Sequence, residues 1–367
     1  MMENKSQLYI IIINLILIFG LAFWFNQSIN LLNTNIDTLS EIVQINSTQL
    51  TDTNNYPILI ESLVPSVVQI QSFNNDLPLT SGHGSGIIVS DNGYILTNAH
   101  VVGYGEANQI LVTSFDNDNV DGELVGVAAC DDIALIQLPQ DSYPSANFSE
   151  DSAQAGTQII SIGYAYNDFI GANFPASSNG YLTRTNLSVS NYVDLIQHNA
   201  GLNAGDSGGA VFNHDGFLMG MNSFRPDGSQ GIGFAIGIAH LQTTYQQLLE
   251  TMSPPPNFEI GQTSDTTELQ HPLDRDCWSF EAIAGEEIQI EVVNVDPHVF
   301  EPEVLLYGPT NLLISIGEPT DETRRGKQIT ITPQVNGIFT VMIGRTIVQQ
   351  DRIGTYTISV IETETTD

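Results

Sequence analysis

The sequence predicts an all-β protein with two folded domains, preceded by one transmembrane helix. Short apolar runs with the alternation of β-strands recur from about residue 56 onward, separated by Gly, Asn, Asp and Pro. A hydrophobic content of 41% over 367 residues supports more than one folded core. The run from Leu8 to Phe25 is apolar except for Asn14 and is close to the length that crosses a bilayer.

The N-terminal run predicts an uncleaved signal anchor over residues 8–25, with residues 1–7 in the cytoplasm. A cleaved signal peptide is the alternative, but the run is long for one and no small-residue cleavage site follows it. Lys5 precedes the run and the next basic residue is Arg184. The positive-inside rule therefore predicts that the rest of the chain is periplasmic or extracellular.

Residues 26–55 are rich in Asn, Thr and Ser and predict a stalk. Five apolar residues in it follow the 3-4 spacing of about two heptads: Ile29, Leu32, Ile36, Leu39 and Val43. Two heptads are usually too few for an independent coiled coil, so a frayed linker is favoured and a short coiled coil is the alternative.

Charge, histidine spacing and cysteine content limit the partners, metal sites and disulfides that this chain is expected to have. Nine basic against 42 acidic residues give a net charge of −33, which disfavours a nucleic-acid partner and leaves the span as the only expected membrane contact. No spacing among the seven histidines suggests a metal site, and we expect no cofactor. Cys130 and Cys277 fall in different predicted domains; two isolated thiols are favoured, and a domain-bridging disulfide is the alternative.

The segment from Gly201 to Ala210 reads G-L-N-A-G-D-S-G-G-A and predicts a nucleophilic serine, Ser207, in a glycine-flanked turn. A serine hydroxyl attacks a carbonyl only with a base to take its proton and amide groups aimed at the oxyanion. The glycines permit a sharp turn in which the N–H groups of Gly205 and Ser207 converge.

A base and an acid are present elsewhere in the chain. His100 follows an Asp-Asn-Gly turn and a short strand, and Asp132 directly precedes the apolar run Ile133–Leu138, with Asp131 as its exposed neighbour. In a serine triad the imidazole takes the hydroxyl proton, and the carboxylate fixes the tautomer and stabilises the imidazolium. The sequence therefore predicts a triad of His100, Asp132 and Ser207.

Six segments, in the same order, resemble the HtrA-type, trypsin-like serine proteases: Val64–Ile70, Gly82–Val89, Leu96–Val102, Asp132–Leu135, Gln197–Ala210 and Gly231–Ile236. The resemblance implies a double six-stranded β-barrel over residues 56–252, polypeptide substrates, a possible homotrimer and a role in envelope protein quality control. It also implies an oxyanion hole from the backbone of Gly205, Asp206 and Ser207.

The chain departs from the family pattern in the nucleophile turn. Asp206 stands where HtrA enzymes usually have Asn, and Ala204 stands where they usually have Pro. A buried, unpaired carboxylate is costly, so we expect Asp206 to find a donor such as a backbone N–H group.

The same resemblance implies a primary specificity pocket with Gly201 at its base. Since no acid stands there, cleavage after Lys or Arg is not expected. The pocket walls are expected to include Asn222, Ser223, Ile232 and Phe234, which favours small or medium aliphatic residues at the cleaved position.

A proline-rich linker over residues 253–260 ends an amphipathic helix near Leu241–Thr251 and predicts a domain boundary. The alternating short strands of residues 261–367 predict a β-sandwich. Its W-x-F, A-G-E-E-I-Q-I and G-x-Y-T-x-x-V segments resemble the bacterial pre-peptidase C-terminal domain rather than PDZ.

Two groups of residues in this domain allow a binding role. Trp278 and Phe280 are expected in the core, with a sugar-binding platform as the alternative. Four acids could ligate calcium, although solvated loops explain them as well: Asp274, Asp276, Asp296 and Glu301.

These observations predict a membrane-anchored, extracytoplasmic serine endopeptidase without a cofactor. One alternative is a protease-fold binding or adhesion module with vestigial activity. Another is a protease held inactive by its C-terminal domain.

Overall fold

The structure is a computed structural model and divides into two compact units, Met1–Glu61 and Ser62–Asp367. The described residues are 20–21, 24, 26–30, 32–34, 36, 56–74, 82–116, 119–139, 141–166, 174–189, 192–226, 228–250, 257–269, 275–295, 301–320, 325–345 and 354–363. Apart from residues 56–61, both predicted folded domains lie in the second unit.

In the first unit, residues 26–30, 32–34 and 36 are helical. Of the five 3-4 spaced apolar residues of the predicted stalk, Ile29, Leu32 and Ile36 lie on this helix, and Leu39 and Val43 lie outside the described residues. The choice between a frayed linker and a short coiled coil stays a prediction. Apart from residues 20, 21 and 24, the predicted span 8–25 lies outside the described residues. Within the residues described, we find no helix with the length and apolar character that membrane crossing requires.

Helix α1 (Tyr56–Leu63) leads into the first six strands. These are β1 (Val67–Phe73), β2 (Gly82–Ile88), β3 (Tyr94–Thr97), β4 (Gln109–Thr113), β5 (Asn119–Ala128) and β6 (Ile133–Gln137). They close into an antiparallel barrel in the order β1-β2-β3-β6-β5-β4. Alternate residues such as Ile70, Ile95 and Ile136 have no exposed surface and form the barrel core.

The next six strands form a second barrel. These are β7 (Gln158–Gly163), β8 (Ala176–Val189), β9 (Tyr192–His198), β10 (Ala210–Asn213), β11 (Leu218–Phe224) and β12 (Gly233–Gly237). Their order is β10-β11-β12-β9-β8-β7. The predicted helix is α2 (Ile238–Leu249), which begins three residues earlier than expected and buries Ile238, Leu241 and Leu248 on one face. The predicted double six-stranded barrel is confirmed.

The described residues of the C-terminal part form ten strands. These are β13 (Gln262–Thr263), β14 (Thr267–Leu269), β15 (Asp276–Ala282), β16 (Ile288–Asn294), β17 (Pro302–Tyr307), β18 (Leu313–Ile316), β19 (Glu318–Pro319), β20 (Gly326–Ile331), β21 (Gly337–Arg345) and β22 (Gly354–Glu362). One sheet has the order β13-β22-β16-β20-β19 with β14 beside β22, and the other has the order β15-β21-β17-β18. Ile290 and Tyr356 of the first sheet share one core with Phe280 and Val341 of the second.

The residues singled out for binding in this domain are mostly engaged within it. Phe280 is fully buried, as expected, and half-buried Trp278 donates its Nε1 proton to the Tyr356 hydroxyl at 3.0 Å. That hydroxyl donates to Asp276 at 2.6 Å, and Glu301 pairs with Lys327 at 3.0 Å. Asp274 and Asp296 lie outside the described residues. Those that are described contain no cluster of metal-ligating side chains.

Cys130 and Cys277 form a disulfide, with their Cα atoms 6.1 Å apart. The favoured interpretation of two isolated thiols is therefore wrong. The reason is tertiary: the β15-β21-β17-β18 sheet packs on the first barrel, where Leu305 and Met342 join the barrel core. The predicted linker is also shorter at its C-terminal end, since Phe258 is part of the C-terminal core.

Candidate active site

Ser207 lies in a turn that strand β2 of the first barrel fixes from the opposite side. The Ser85 N–H donates to the Ser207 carbonyl at 2.8 Å, and the Ser85 hydroxyl donates to the Gly205 carbonyl at 2.7 Å. Gly208 has φ of 81°, and a Cβ there would collide with the Ser85 carbonyl. Sequence reasoning did not assign this role to Ser85; its signal is the close glycine spacing of the Gly82–Val89 segment.

Asp206, beside the nucleophile, is buried and obtains a backbone donor as expected. The Asn203 N–H donates to its carboxylate at 2.9 Å. Burial raises the pKa of Asp206 to about 6, and the hydrogen bond from Asn203 acts in the opposite direction.

The backbone of this turn leaves two N–H groups for an oxyanion. The N–H of Asp206 donates to the Asn203 carbonyl at 3.0 Å, and those of Gly208 and Gly209 are also used. By contrast, the N–H groups of Gly205 and Ser207 donate to no other residue in the part of the chain that the structure describes. Of the three residues assigned to the oxyanion hole, Asp206 therefore supplies the connecting backbone but no free donor.

His100 and Asp132 form a close pair. Imidazole Nδ1 lies 2.9 Å from each carboxylate oxygen, and the His100 backbone N–H donates to Oδ1 at 3.1 Å. The acid is 2% exposed, whereas the imidazole is 36% exposed and open to a substrate. Burial acts to raise the pKa of Asp132, but the charge and hydrogen bonds of His100, with a hydrogen bond from Ser223, hold it below its usual range.

The local backbone separates Asp132 from its acidic neighbour. Asp132 has φ of 54° and ψ of 40°, directly after the 3-10 turn Ala129–Asp131. Asn98 donates its side-chain N–H to the Asp132 carbonyl at 3.0 Å. Asp131 points elsewhere and pairs with His240 at 3.0 Å. The sequence prediction that Asp132 and not Asp131 faces the histidine agrees with this geometry.

Ser223 connects the acid to the nucleophile. Its hydroxyl donates to Asp132 Oδ2 at 2.8 Å, and its carbonyl accepts the hydroxyl proton of Ser207 at 3.0 Å. No hydrogen bond joins the Ser207 hydroxyl to His100 among the described residues. Sequence reasoning placed Ser223 only in the pocket wall, because nothing in a single strand indicates which carboxylate its hydroxyl meets.

The residues assigned to the substrate pocket differ in accessibility. Gly201 is exposed and Ile232 is 37% exposed, so both can contact a substrate. Asn222 is completely buried, and its side-chain N–H donates to Ser161 at 2.8 Å. Its carbonyl oxygen lies 3.1 Å from His198 Nε2.

Asn222 is therefore part of the interior and not of the pocket surface, which corrects the prediction. His198, which was considered a cleft residue, is likewise fully buried. The two buried side chains lie beside each other, with His198 Nε2 next to the Asn222 carbonyl oxygen.

Three aromatic side chains form a row from the acid toward the pocket. The ring centres of Tyr192 and Phe224 lie 5.2 Å apart, and Phe224 stacks on Phe234 with their ring centres 5.0 Å apart. The Tyr192 hydroxyl donates to Asp132 Oδ2 at 3.4 Å, and burial raises the pKa of Tyr192 above its usual range. The assignment of Phe234 to the pocket wall stays a prediction, and the contact of Tyr192 with the acid was not foreseen.

Comparison with known proteins places this site in context. Residues 84–221 match a family described as a trypsin-like peptidase domain. A probable periplasmic serine endoprotease, DegP-like, of Buchnera aphidicola subsp. Baizongia pistaciae is 37% identical over 173 residues, covering 46% of this chain and 36% of that relative. The periplasmic serine endoprotease DegP of Escherichia coli K12 is 35% identical over 173 residues, with the same coverage. The solved structure of the HtrA-type protease AlgW with tripeptide is 28% identical, has a TM-score of 0.50 and covers 57% of this chain and 68% of that chain.

The matched residues include His100, Asp132 and Ser207. The similarities confirm the predicted resemblance for this part of the chain. The chain matches little more than a third of the length of these curated relatives. The type of the C-terminal domain stays a prediction.

Proposed function

We propose that this chain, whose central part is a trypsin-like serine peptidase domain of the HtrA type, hydrolyses peptide bonds through an acyl-enzyme on Ser207. The observation that carries the proposal is the arrangement around Ser223. Its hydroxyl contacts Asp132 and its carbonyl contacts Ser207, so that base, acid and nucleophile share one site between the barrels. A serine, a histidine and an acid that lie far apart in the sequence but close together in the fold are the arrangement that nucleophilic catalysis requires.

The proposed reaction begins with a rotation of the Ser207 side chain away from the Ser223 carbonyl. The hydroxyl then gives its proton to His100 Nε2, and Oγ attacks the substrate carbonyl carbon. Asp132 holds Nδ1–H and stabilises the imidazolium. The imidazolium next protonates the leaving amine, and a water activated by His100 releases the acyl group from Ser207.

The developing oxyanion is stabilised by the N–H groups of Gly205 and Ser207. Neither group donates to another of the described residues, and the turn around them is held by hydrogen bonds, which supports a hole that is formed before substrate arrives. One such donor is worth about 3 kcal/mol of transition-state stabilisation.

The substrate is proposed to be a polypeptide with an aliphatic residue at the cleaved position. Gly201 supplies no charge at the pocket base, and Ile232 and Phe234 supply apolar walls. A cationic side chain would lose its hydration there without gaining a partner.

The enzyme is further proposed to act outside the cytoplasm, anchored by residues 8–25, in envelope protein quality control and with the possibility of a homotrimer. The asymmetry of Lys5 and Arg184 about the apolar run supports the orientation. The relatives named periplasmic endoproteases support the compartment. The C-terminal part is proposed to be a β-sandwich of the pre-peptidase type.

A fluorophosphonate probe tests the catalytic proposal, since it phosphonylates only an activated serine. We expect labelling of the full chain and its loss in Ser207→Ala, with Ser152→Ala as an exposed-serine control that keeps full labelling. Absence of labelling at Ser207, with the chain folded by circular dichroism, would instead favour a binding or adhesion module. The Ser207–Ser223 hydrogen bond is the observation that would then explain the inactive serine.

A further inference from the structure

The C-terminal domain contacts the turn that carries His100. This turn, Ala99–Gly105, begins next to the histidine and has Tyr104 near its end. The hydroxyl of Tyr307 donates to the Tyr104 carbonyl at 2.8 Å. The guanidinium carbon of Arg275 lies 5.3 Å from the centre of the Tyr104 ring, within cation–π distance. Both partners come from the C-terminal domain.

The same domain is bonded to the turn that carries the acid. Cys130 lies in Ala129–Asp131, directly before Asp132, and its disulfide partner Cys277 is two residues from Arg275. The two halves of the proposed catalytic pair are therefore each attached to one short stretch of the C-terminal domain.

Both attachment points adjoin unusual backbone conformations. Tyr104 has φ of 53° and Asp132 has φ of 54°, in the left-handed region that non-glycine residues seldom occupy. Such a residue costs about 1 kcal/mol or more and persists where surrounding contacts over-determine it. The contacts of Tyr307 and Arg275 with Tyr104, and the disulfide beside Asp132, are contacts of this kind.

We propose that the C-terminal domain holds the turns that carry His100 and Asp132 in their active arrangement, and that Arg275 is a positioning residue for this pair. The inference rests on the proposed function of that pair. Arg275 is 7% exposed, and its stem crosses Gly344, where a Cβ would lie 2.7 Å from Cδ. This packing fixes the charged head over Tyr104, and the domain thereby supports the pair instead of inhibiting it.

The guanidinium lies over the Tyr104 ring, and the charges of Tyr104, Glu303, Tyr192 and Asp132 act on it. Burial acts to lower the pKa of Arg275, but these oxygens outweigh it and keep Arg275 charged. Removal of the guanidinium therefore takes a fixed positive charge away from the carboxylate that holds His100.

Glu303 is a second titratable group that interacts with Arg275. Burial raises its pKa to about 7, with Arg275 and Lys327 acting to lower it and Glu106 acting to raise it. It therefore titrates within the pH range of the labelling test, and Glu303→Gln removes this titration from the measured profile.

The test is the rate of Ser207 phosphonylation from pH 5 to 9 in the full chain. For Arg275→Met we expect a rate about 10-fold lower and a midpoint about 0.5 pH unit higher, because the pair is misplaced and a cation is lost. Arg275→Lys restores the midpoint but not the full rate, since it keeps the charge and loses the planar contact with Tyr104. Arg325→Met removes an exposed charge of the same domain and leaves both values unchanged.

A folding control keeps the result interpretable. If Arg275→Met does not fold by circular dichroism, Tyr307→Phe deletes only the hydroxyl that binds the Tyr104 carbonyl, and we expect labelling about threefold slower. Unchanged rate and midpoint in folded variants, or faster labelling, would overturn the inference. Failure of the unsubstituted chain to label Ser207 would overturn the proposed function itself, which is a distinct result.

Discussion

The disulfide between Cys130 and Cys277 should contribute more to stability than any other single feature we consider. It joins residues 147 positions apart, which the chain-entropy relation converts to about 17 cal/mol/K of lost denatured-state entropy. At 298 K this corresponds to about 5 kcal/mol of folding free energy. Replacing both cysteines by serine should therefore lower the free energy of unfolding by several kcal/mol.

The measurement is urea unfolding of the full chain, followed by tryptophan fluorescence and by far-ultraviolet circular dichroism. Trp278 lies one residue from Cys277 in the C-terminal domain and reports its release. The oxidised protein treated with dithiothreitol is the matched control, because it keeps both sulfur atoms and loses only the bond.

Equal midpoints for the oxidised, reduced and doubly substituted proteins would refute the reasoning. Such a result would mean that the apolar interface, with Leu305 and Met342 in the first-barrel core, already restricts the chain as much as the bond does. A change in the slope with urea, without a change in midpoint, would place the effect in the compactness of the denatured state.

Three further predictions concern single buried groups. Ser223→Ala removes a donor to the Asp132 carboxylate and should lower kcat/KM for a peptide about 10-fold, while Ser223→Thr, which keeps the hydroxyl, should lose less; equal losses would contradict the role of the hydroxyl. The pKa of Asp206 is raised to about 6 in the folded protein, so the carboxyl ionises at lower pH in the unfolded chain and the free energy of unfolding falls as pH rises from about 4 to 6. Asp206→Asn should abolish this fall and add up to about 3 kcal/mol to the free energy of unfolding at pH 7.5, as measured with urea. Burial lowers the pKa of His198 to about 4, so the free energy of unfolding decreases as pH falls from about 6.5 to 4. Urea unfolding of His198→Gln should not show this decrease. A decrease that persists in the variant would come from other groups.

The central part of the chain is an example of strong prediction from sequence. The nucleophile turn needs glycines at fixed offsets around Ser207, and the base and acid stand at strand edges, so each leaves a local signature. Strand alternation likewise indicated the six main strands of the C-terminal part, and an amphipathic pattern followed by prolines indicated the helix before the linker. These features depend on neighbouring residues and can be read without long-range information.

Other features of the site depend on which surfaces meet. Asn222 was assigned to the pocket, yet the register of β11 turns it inward to His198 and Ser161. Ser223, the next residue, is turned the other way and meets Asp132. A one-residue change of register exchanges the two faces of a strand, and a single sequence does not fix that register.

The sequence by itself determined the all-β class, the order of the two folded parts and the three residues proposed for catalysis, because each depends on short-range patterns of glycine, charge and alternation. Only the tertiary structure decided that Cys130 bonds to Cys277 and that Arg275 lies over Tyr104. Those contacts join segments more than a hundred residues apart. They follow from the packing of one sheet on the first barrel, which no local pattern specifies.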